Sequence, residues 1–173
     1  MQEGKPYDQP WAILSHIYGQ LGAKAASLSA KPIRFDQREF APRDTGMDET
    51  GYIYIPSSCQ NAAANTCKLH IVFHGCSQGA NVKHVDDDVF TKVGYNEWAD
   101  SNNIIVLYPQ LSDPQLSLSD PTMGLLTSFS GHNMTLSLPA CWDWTGYTGP
   151  NYQIKTGKQL SAIRAMVDRL TGQ

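Results

Sequence analysis

An α/β fold is what this sequence predicts: a short, mainly parallel sheet with flanking helices. Three observations carry the prediction. The run Ile104 to Tyr108 (IIVLY) is continuously apolar, as a strand buried on both faces must be. Lys68 to Phe73 (KLHIVF) is a second apolar strand that runs straight into the glycine-flanked polar turn His74-Gly75-Cys76-Ser77-Gln78-Gly79. α/β enzymes present reactive groups in such turns, at the carboxyl ends of their strands. Between and around these strands lie segments with helical periodicity.

Taken in order, Leu14, Ile17, Tyr18 and Leu21 form an i, i+3, i+4, i+7 stripe over Pro10 to Leu21, with Asp8 as cap, Pro10 in the first turn and Gly22 as stop. Ile33 to Phe40 (IRFDQREF) alternates and predicts a strand; residues 42–50 are polar and predict a loop. Gly51 to Pro56 (GYIYIP) predicts the next strand. Asp86, Asp87 and Asp88 precede Val89, Phe90, Val93 and Trp98, a helix to about Asp100 whose acidic start suits the positive end of the helix dipole. That acidic run lacks the glycine and spacing of a calcium loop. Residues 110–140 are rich in Ser, Asp, Pro and Leu and too long for an ordinary connection, which predicts an insertion or lid-like loop. In the last helix Leu160, Ile163, Met166, Val167 and Leu170 share one face, and Gly172 ends it.

A chain of 173 residues, 41% hydrophobic and 17% charged, predicts one globular domain with a sizeable core and no internal repeat. The net charge of -3 gives no footprint for nucleic acid. No apolar run approaches the roughly 18 residues of a membrane span. The start, MQEGKPYDQPW, has no basic n-region and no apolar h-region. The four cysteines nevertheless point to an oxidising compartment, secreted or periplasmic, so the expectation is a domain whose true beginning lies upstream. Cys59 and Cys67 flank a short polar stretch between two strands, which suits a bridge at the mouth of a hairpin; Cys76 and Cys141 remain as the second pair.

Gly75 to Gly79 spell G-x-S-x-G, the nucleophile elbow of serine hydrolases. On one reading Ser77 is the nucleophile of a self-sufficient esterase, with Asp113 or Asp120 and His132 downstream in the usual chain order. On the other, the turn supplies oxyanion donors: Cys76 offers its backbone N–H, and His74 shapes the pocket. A lining of Trp142, Trp144 and Tyr147 would make an apolar cleft, or a non-catalytic surface for an apolar polymer. His70 and His74 sit four apart without the Glu of H-E-x-x-H, so no metal is expected, and nothing implies a cofactor. Asn133-Met134-Thr135 is a glycosylation sequon, meaningful in a eukaryotic secretory pathway.

The blocks HIVFHGCSQGA, VGYNEWADSNNIIVLYPQ, CWDWTGYTG and YQIKTGKQLSAIRAMVDRL, preceded by LSHIYGQL, IRFDQREF and TGYIYIPSSC, resemble the carboxyl-terminal half of extracellular poly(3-hydroxybutyrate) depolymerases with a circularly permuted catalytic domain. The resemblance implies part of an α/β-hydrolase fold and a polyester or short-chain ester as substrate. It places His74, Gly75 and Cys76 at the oxyanion turn, Ser77 at a non-catalytic position, and the tryptophans of CWDW beside the polymer crevice. The triad of such enzymes would then lie before residue 1, in a missing amino-terminal segment. No second G-x-S-x-G occurs, and His16 falls in a helical pattern. The stretch Leu111 to Pro139 is longer than this resemblance implies.

Overall fold

The computed structural model describes residues 6–61, 63, 66–112 and 140–172. Most of the 110–140 segment, with Asp113, Asp120, His132 and the Asn133 sequon, lies outside the described residues.

Helix α1 (Gln9–Tyr18) begins where Asp8 accepts a hydrogen bond from Trp11 N at 3.0 Å, and Pro10 sits in its first turn. It stops three residues before Gly22, at Gly19, whose φ of 84° breaks the helical path. The second Asp8 oxygen takes Trp98 Nε1 at 3.0 Å and Lys24 Nζ at 3.2 Å, so one carboxylate both caps α1 and fastens it to the helix that carries Trp98.

Strand β1 (Ile33–Asp36) is half the expected length. Asp36 accepts from Arg38 N at 2.8 Å and turns the chain into a single 3-10 turn, Gln37–Glu39. Strands β2 (Thr50–Tyr54), β3 (Lys68–Ile71) and β4 (Ile104–Tyr108) complete the described sheet, in the order β1-β2-β4-β3. The fold is α/β, but the sheet is mixed rather than mainly parallel. Only β3 and β4 run parallel, because only their connection carries helices; β1–β2 and β2–β4 are antiparallel. The expected single helix from Asp86 is two short ones, α2 (Asp88–Thr91) and α3 (Tyr95–Ser101), separated by Gly94 at φ 97°.

The Cys59–Cys67 bridge is present, but it does not close a hairpin. β4 lies between β2 and β3, so the bridged loop passes the start of β4. There Ser58 Oγ donates to Asn103 Oδ1 at 2.8 Å and Lys68 N to Asn103 O at 2.9 Å.

Two cores sandwich the sheet. On one face Tyr54, Val72, Ile104, Val106 and Tyr108 pack with Leu14, Phe90, Tyr95 and Ala99 of α1–α3. On the other, Ile53 and Leu107 meet Ala162, Ile163 and Met166 of α4 (Lys158–Thr171). The buried stripe of α4 is rotated from the expected one: Gln159 and Ala162 point inward, while Leu160 and Leu170 are exposed. The Gln159 carboxamide sets the rotation. It accepts from Asp143 N at 2.9 Å and donates to Thr45 O at 3.0 Å and Tyr147 Oη at 2.7 Å.

Gly51 in β2 faces Phe35 so closely that a Cβ would stand 2.4 Å from the Phe35 ring and 2.8 Å from Gln37 Oε1. We expect Gly51→Ala to destabilise the fold by about 1–3 kcal/mol, the usual cost of overpacking, read from urea unfolding. An unchanged midpoint would mean that the Phe35 ring swings aside freely.

Candidate functional site

Past the end of β3 the ladder continues for one more residue, with Val72 N donating to Leu107 O at 2.9 Å. Phe73 then emerges into solvent and His74 is buried. Residues 75–78 form a tight turn closed twice by Gln78: its N–H donates to Gly75 O at 3.1 Å, and its Oε1 accepts from Gly75 N at 2.8 Å. Ser77, third in the turn, adopts φ 60°, a left-handed conformation that side chains rarely take. Cys76 is bridged to Cys141, which ties the turn to the CWDW segment. No described residue accepts a hydrogen bond from the Cys76 or Ser77 amide, so these two adjacent N–H donors are unpartnered among the described residues. Such a pair of donors suits a developing alkoxide.

His74 locks this turn from beneath. Its Nδ1 lies 2.8 Å from Gly75 O and so carries the proton; its Nε2 accepts from Leu111 N at 3.2 Å. The imidazole is therefore neutral and fully engaged. Burial pushes its pKa below the ordinary 6.5, against an opposing pull from the Gly75 carbonyl. No described side chain hydrogen-bonds the Ser77 hydroxyl, and His74 has no free nitrogen to serve it as a base. His70 points elsewhere: it packs on Tyr18 and Tyr95, and burial lowers its pKa too. Among the described residues no group of three His, Cys, Asp or Glu is placed to hold a metal ion.

The aromatic residues separate by role. Trp142 donates Nε1 to His74 O at 2.9 Å and packs its ring edge-on to Phe73, centroids 4.9 Å apart. With Phe73, Tyr152, Leu160 and Ile163 it lines an open cleft of about 320 Å³ beside the turn. Trp144 and Tyr147 are not among its lining residues. Trp144 is 55% exposed. Tyr147 is held inward: its hydroxyl donates to Cys141 O at 2.8 Å and accepts from Gln159, and its ring covers Gly46, where a Cβ would come within 3.0 Å. Burial above all raises its pKa to about 12; the Gln159 hydrogen bond opposes the rise and the Asp143 carboxylate adds to it.

The residue that builds this loop is Asp143, which the sequence reading passed over. Its Oδ1 accepts from the amides of Thr145 (3.1 Å), Gly146 (2.6 Å) and Tyr147 (3.0 Å). Its Oδ2 accepts from Thr148 N at 2.8 Å and Thr148 Oγ1 at 2.6 Å. The signal was readable: Asp followed by Thr and Gly is an Asx-turn sequence. Phe73 and Leu160 were also missed as cleft residues, because apolar strand-end and helix positions read as core, and so was Tyr152, which lies in the turns before α4.

No protein-family profile matches the chain. It is 40% identical over 177 residues to the poly(3-hydroxybutyrate) depolymerase of Delftia acidovorans, and 36% identical over 165 residues to the polyhydroxybutyrate depolymerase of Talaromyces funiculosus. The chain is a homologue of the poly(3-hydroxybutyrate) depolymerases. These alignments take in 98% and 95% of the chain, but 31% and 45% of the two relatives. Two solved structures superpose on 96% of it with TM-score 0.75 at 34% identity: a PHB depolymerase complexed with an R3HB trimer, and the PHB depolymerase from Penicillium funiculosum. The depolymerase homologue covers 48% of each of those chains.

Two predictions follow from the packing. Trp142→Ala should cost about 3–5 kcal/mol, as for a ring lost from a packed site, whereas Trp144→Ala should leave the melting temperature nearly unchanged. Equal losses in thermal unfolding would place both rings in the core. For His74, the folded state binds its proton less readily than the unfolded chain. Stability should therefore be full above 6.5, its ordinary pKa, and fall as pH drops below it. His70 adds to the same trend. Urea unfolding at about pH 7.5 and about pH 5.5 should give a smaller loss in His74→Gln than in the parent; equal losses would remove His74 from the account.

Proposed function

We propose that this chain forms the oxyanion turn and substrate wall of a carboxylic ester hydrolase acting on polyhydroxybutyrate or short acyl esters. One observation carries the reading: the Cys76 and Ser77 amides, unpartnered among the described residues, stand at the carboxyl end of β3, and the Phe73–Trp142 cleft begins on that same strand end. An ester carbonyl seated with its oxygen on those amides is polarised. When a nucleophile adds to its carbon, the oxygen becomes an alkoxide that both N–H groups stabilise, and collapse expels the alcohol. Loss of one such donor costs about 2.7–4 kcal/mol in the transition state. The donors are set before substrate arrives, because Gln78, His74 and the Cys76–Cys141 bridge hold the turn. Phe73 and Trp142 would take the methyl-bearing acyl chain. Trp144, exposed beyond them, would meet the polymer surface.

The nucleophile, base and acid come from outside the described residues. Ser77 is no nucleophile on this reading: its amide, not its hydroxyl, is the working group. The names of the homologues support the substrate class, and two disulfides support an oxidising, extracytoplasmic location.

The purified chain alone should hydrolyse p-nitrophenyl butyrate no faster than background, and a fluorophosphonate probe should leave it unlabelled. Stoichiometric labelling of Ser77, abolished in Ser77→Ala, would overturn this division of labour in favour of a self-sufficient esterase.

A further inference from the structure

A second cavity, sharing no lining residue with the Phe73–Trp142 cleft, lies where β1 and β2 meet the segment that follows the oxyanion turn. Its volume is about 170 Å³. The strands supply Arg34, Thr50 and Tyr52; Asn81 and Gln110 close it from the other side. Arg34 and Tyr52 are register partners on neighbouring strands, so their side chains stand beside each other on one face. Tyr52 is held there by stacking on Phe90, ring centroids 3.8 Å apart. The far wall is tied to the turn's support, since Ala80 N donates to Gln110 Oε1 at 2.8 Å.

Two charged residues line this cavity, and they differ in what they have left to offer. Asp48 accepts from Thr50 N at Oδ1 and from Asn81 Nδ2 at Oδ2, both at 2.8 Å. Glu49, its neighbour in sequence, is taken by Arg38 at 2.8 Å. Arg34 is oriented by one bond, Nη2 to Thr50 Oγ1 at 3.1 Å, and meets no carboxylate among the described residues. Its planar fork of N–H donors fits a carboxylate with paired bonds. The Tyr52 hydroxyl and the Asn81 carbonyl oxygen also lack a hydrogen-bond partner among the described residues.

These groups specify a ligand with a carboxylate for Arg34 and a hydroxyl for Asn81. Size narrows it further. A cavity of about 150 Å³ takes one benzene, so this one holds a small acid and not a polymer chain. Hydrolysis of polyhydroxybutyrate, the polyester named for the homologues, yields 3-hydroxybutyrate. That acid is close to benzene in size and carries both groups, and its methyl can rest on the Tyr52 ring and the Ala80 side chain.

We propose that this cavity binds free 3-hydroxybutyrate. Arg34 holds the carboxylate, the Tyr52 hydroxyl donates to the same carboxylate, and the Asn81 carbonyl accepts from the ligand hydroxyl. It is a site for the released acid, separate from the cleft where the ester would sit. The choice of this acid rests on the ester-hydrolase reading; the recognition of a small hydroxycarboxylate rests on Arg34, Tyr52 and Asn81.

The test titrates the full chain with 3-hydroxybutyrate and follows backbone amide shifts by NMR. The amides of Thr50, Tyr52, Ala80 and Asn81 should shift and saturate together. Arg34→Gln should weaken binding about tenfold or more, as for a lost charged hydrogen bond, while Lys155→Gln, an exposed charge in the turns before α4, should bind as the parent does. Butyrate, which lacks the hydroxyl, should bind about threefold or more weakly. If Arg34→Gln fails to fold by circular dichroism, Asn81→Ala, at an exposed position, and the butyrate comparison decide. Shifts that rise without saturating, equal binding by Arg34→Gln, or butyrate binding as tightly overturn the proposal. So do shifts confined to Phe73, Trp142 and Tyr152, which would put the acid in the cleft. Ester hydrolysis and Ser77 labelling test the ester-hydrolase reading without involving Arg34, so each can fail while the other stands.

Discussion

The carboxyl end of β4 imposes the constraint on which the rest of this structure depends. Gln110 and Leu111 are almost wholly buried, so their peptide groups must find partners without water. Gln110 N donates to Gln37 Oε1 at 2.9 Å, and its carbonyl accepts from Gln37 Nε2 at 2.9 Å and Asp48 N at 3.0 Å. Leu111 N donates to His74 Nε2. The Gln110 side chain reaches on to Ala80 N at 2.8 Å. Four segments distant in sequence are thereby drawn to one point: the turn after β1, the loop before β2, the turn after β3, and the residues that follow it.

The candidate site grows from that point. Because His74 serves the Leu111 amide with one nitrogen, its other must carry the proton, and that proton fixes the Gly75 carbonyl. With Gly75 held, Gln78 can close the turn, and the Cys76 and Ser77 amides are left without an acceptor among the described residues. Trp142, on the His74 carbonyl, joins the cleft wall to the same support. Donors and wall are thus positioned by a buried, uncharged imidazole rather than by contacts with substrate, which is what preorganisation for a developing charge requires.

Apolar runs made the elements legible in the sequence. β2, β3, β4, α1 and α4 all lie where periodicity puts them, although α1 ends at Gly19 and not at Gly22, and the turn after β3 stood out by its glycines. Sheet order and strand direction were not legible. The polar loop between Cys59 and Cys67 looks the same whether it closes a hairpin or passes a third strand. Polar residues that act from inside misled the reading most. Gln159 rotates α4 away from its leucine stripe, Gln37 ties the turn that follows the shortened first strand to Gln110, and Asp143 builds the wall loop. Periodicity counts such residues as surface, because it registers hydrophobicity and not the backbone groups that a buried amide or carboxylate can satisfy.

Asp143 has one more consequence. Its carboxylate draws in four successive amides, so the path of residues 143–148 is set by backbone atoms and by the side chains of Asp143, Tyr147, Thr148 and Gln159. Trp144 rides on that path without helping to define it. Its side chain can therefore be exchanged over evolutionary time while the loop beneath keeps its shape. On the proposed ester-hydrolase reading, a lineage moving to a stiffer or bulkier polyester could revise this exposed position with little penalty in folding. Shape and chemistry are separately inherited in this stretch, and variation among descendants should gather at position 144 while position 143 stays fixed.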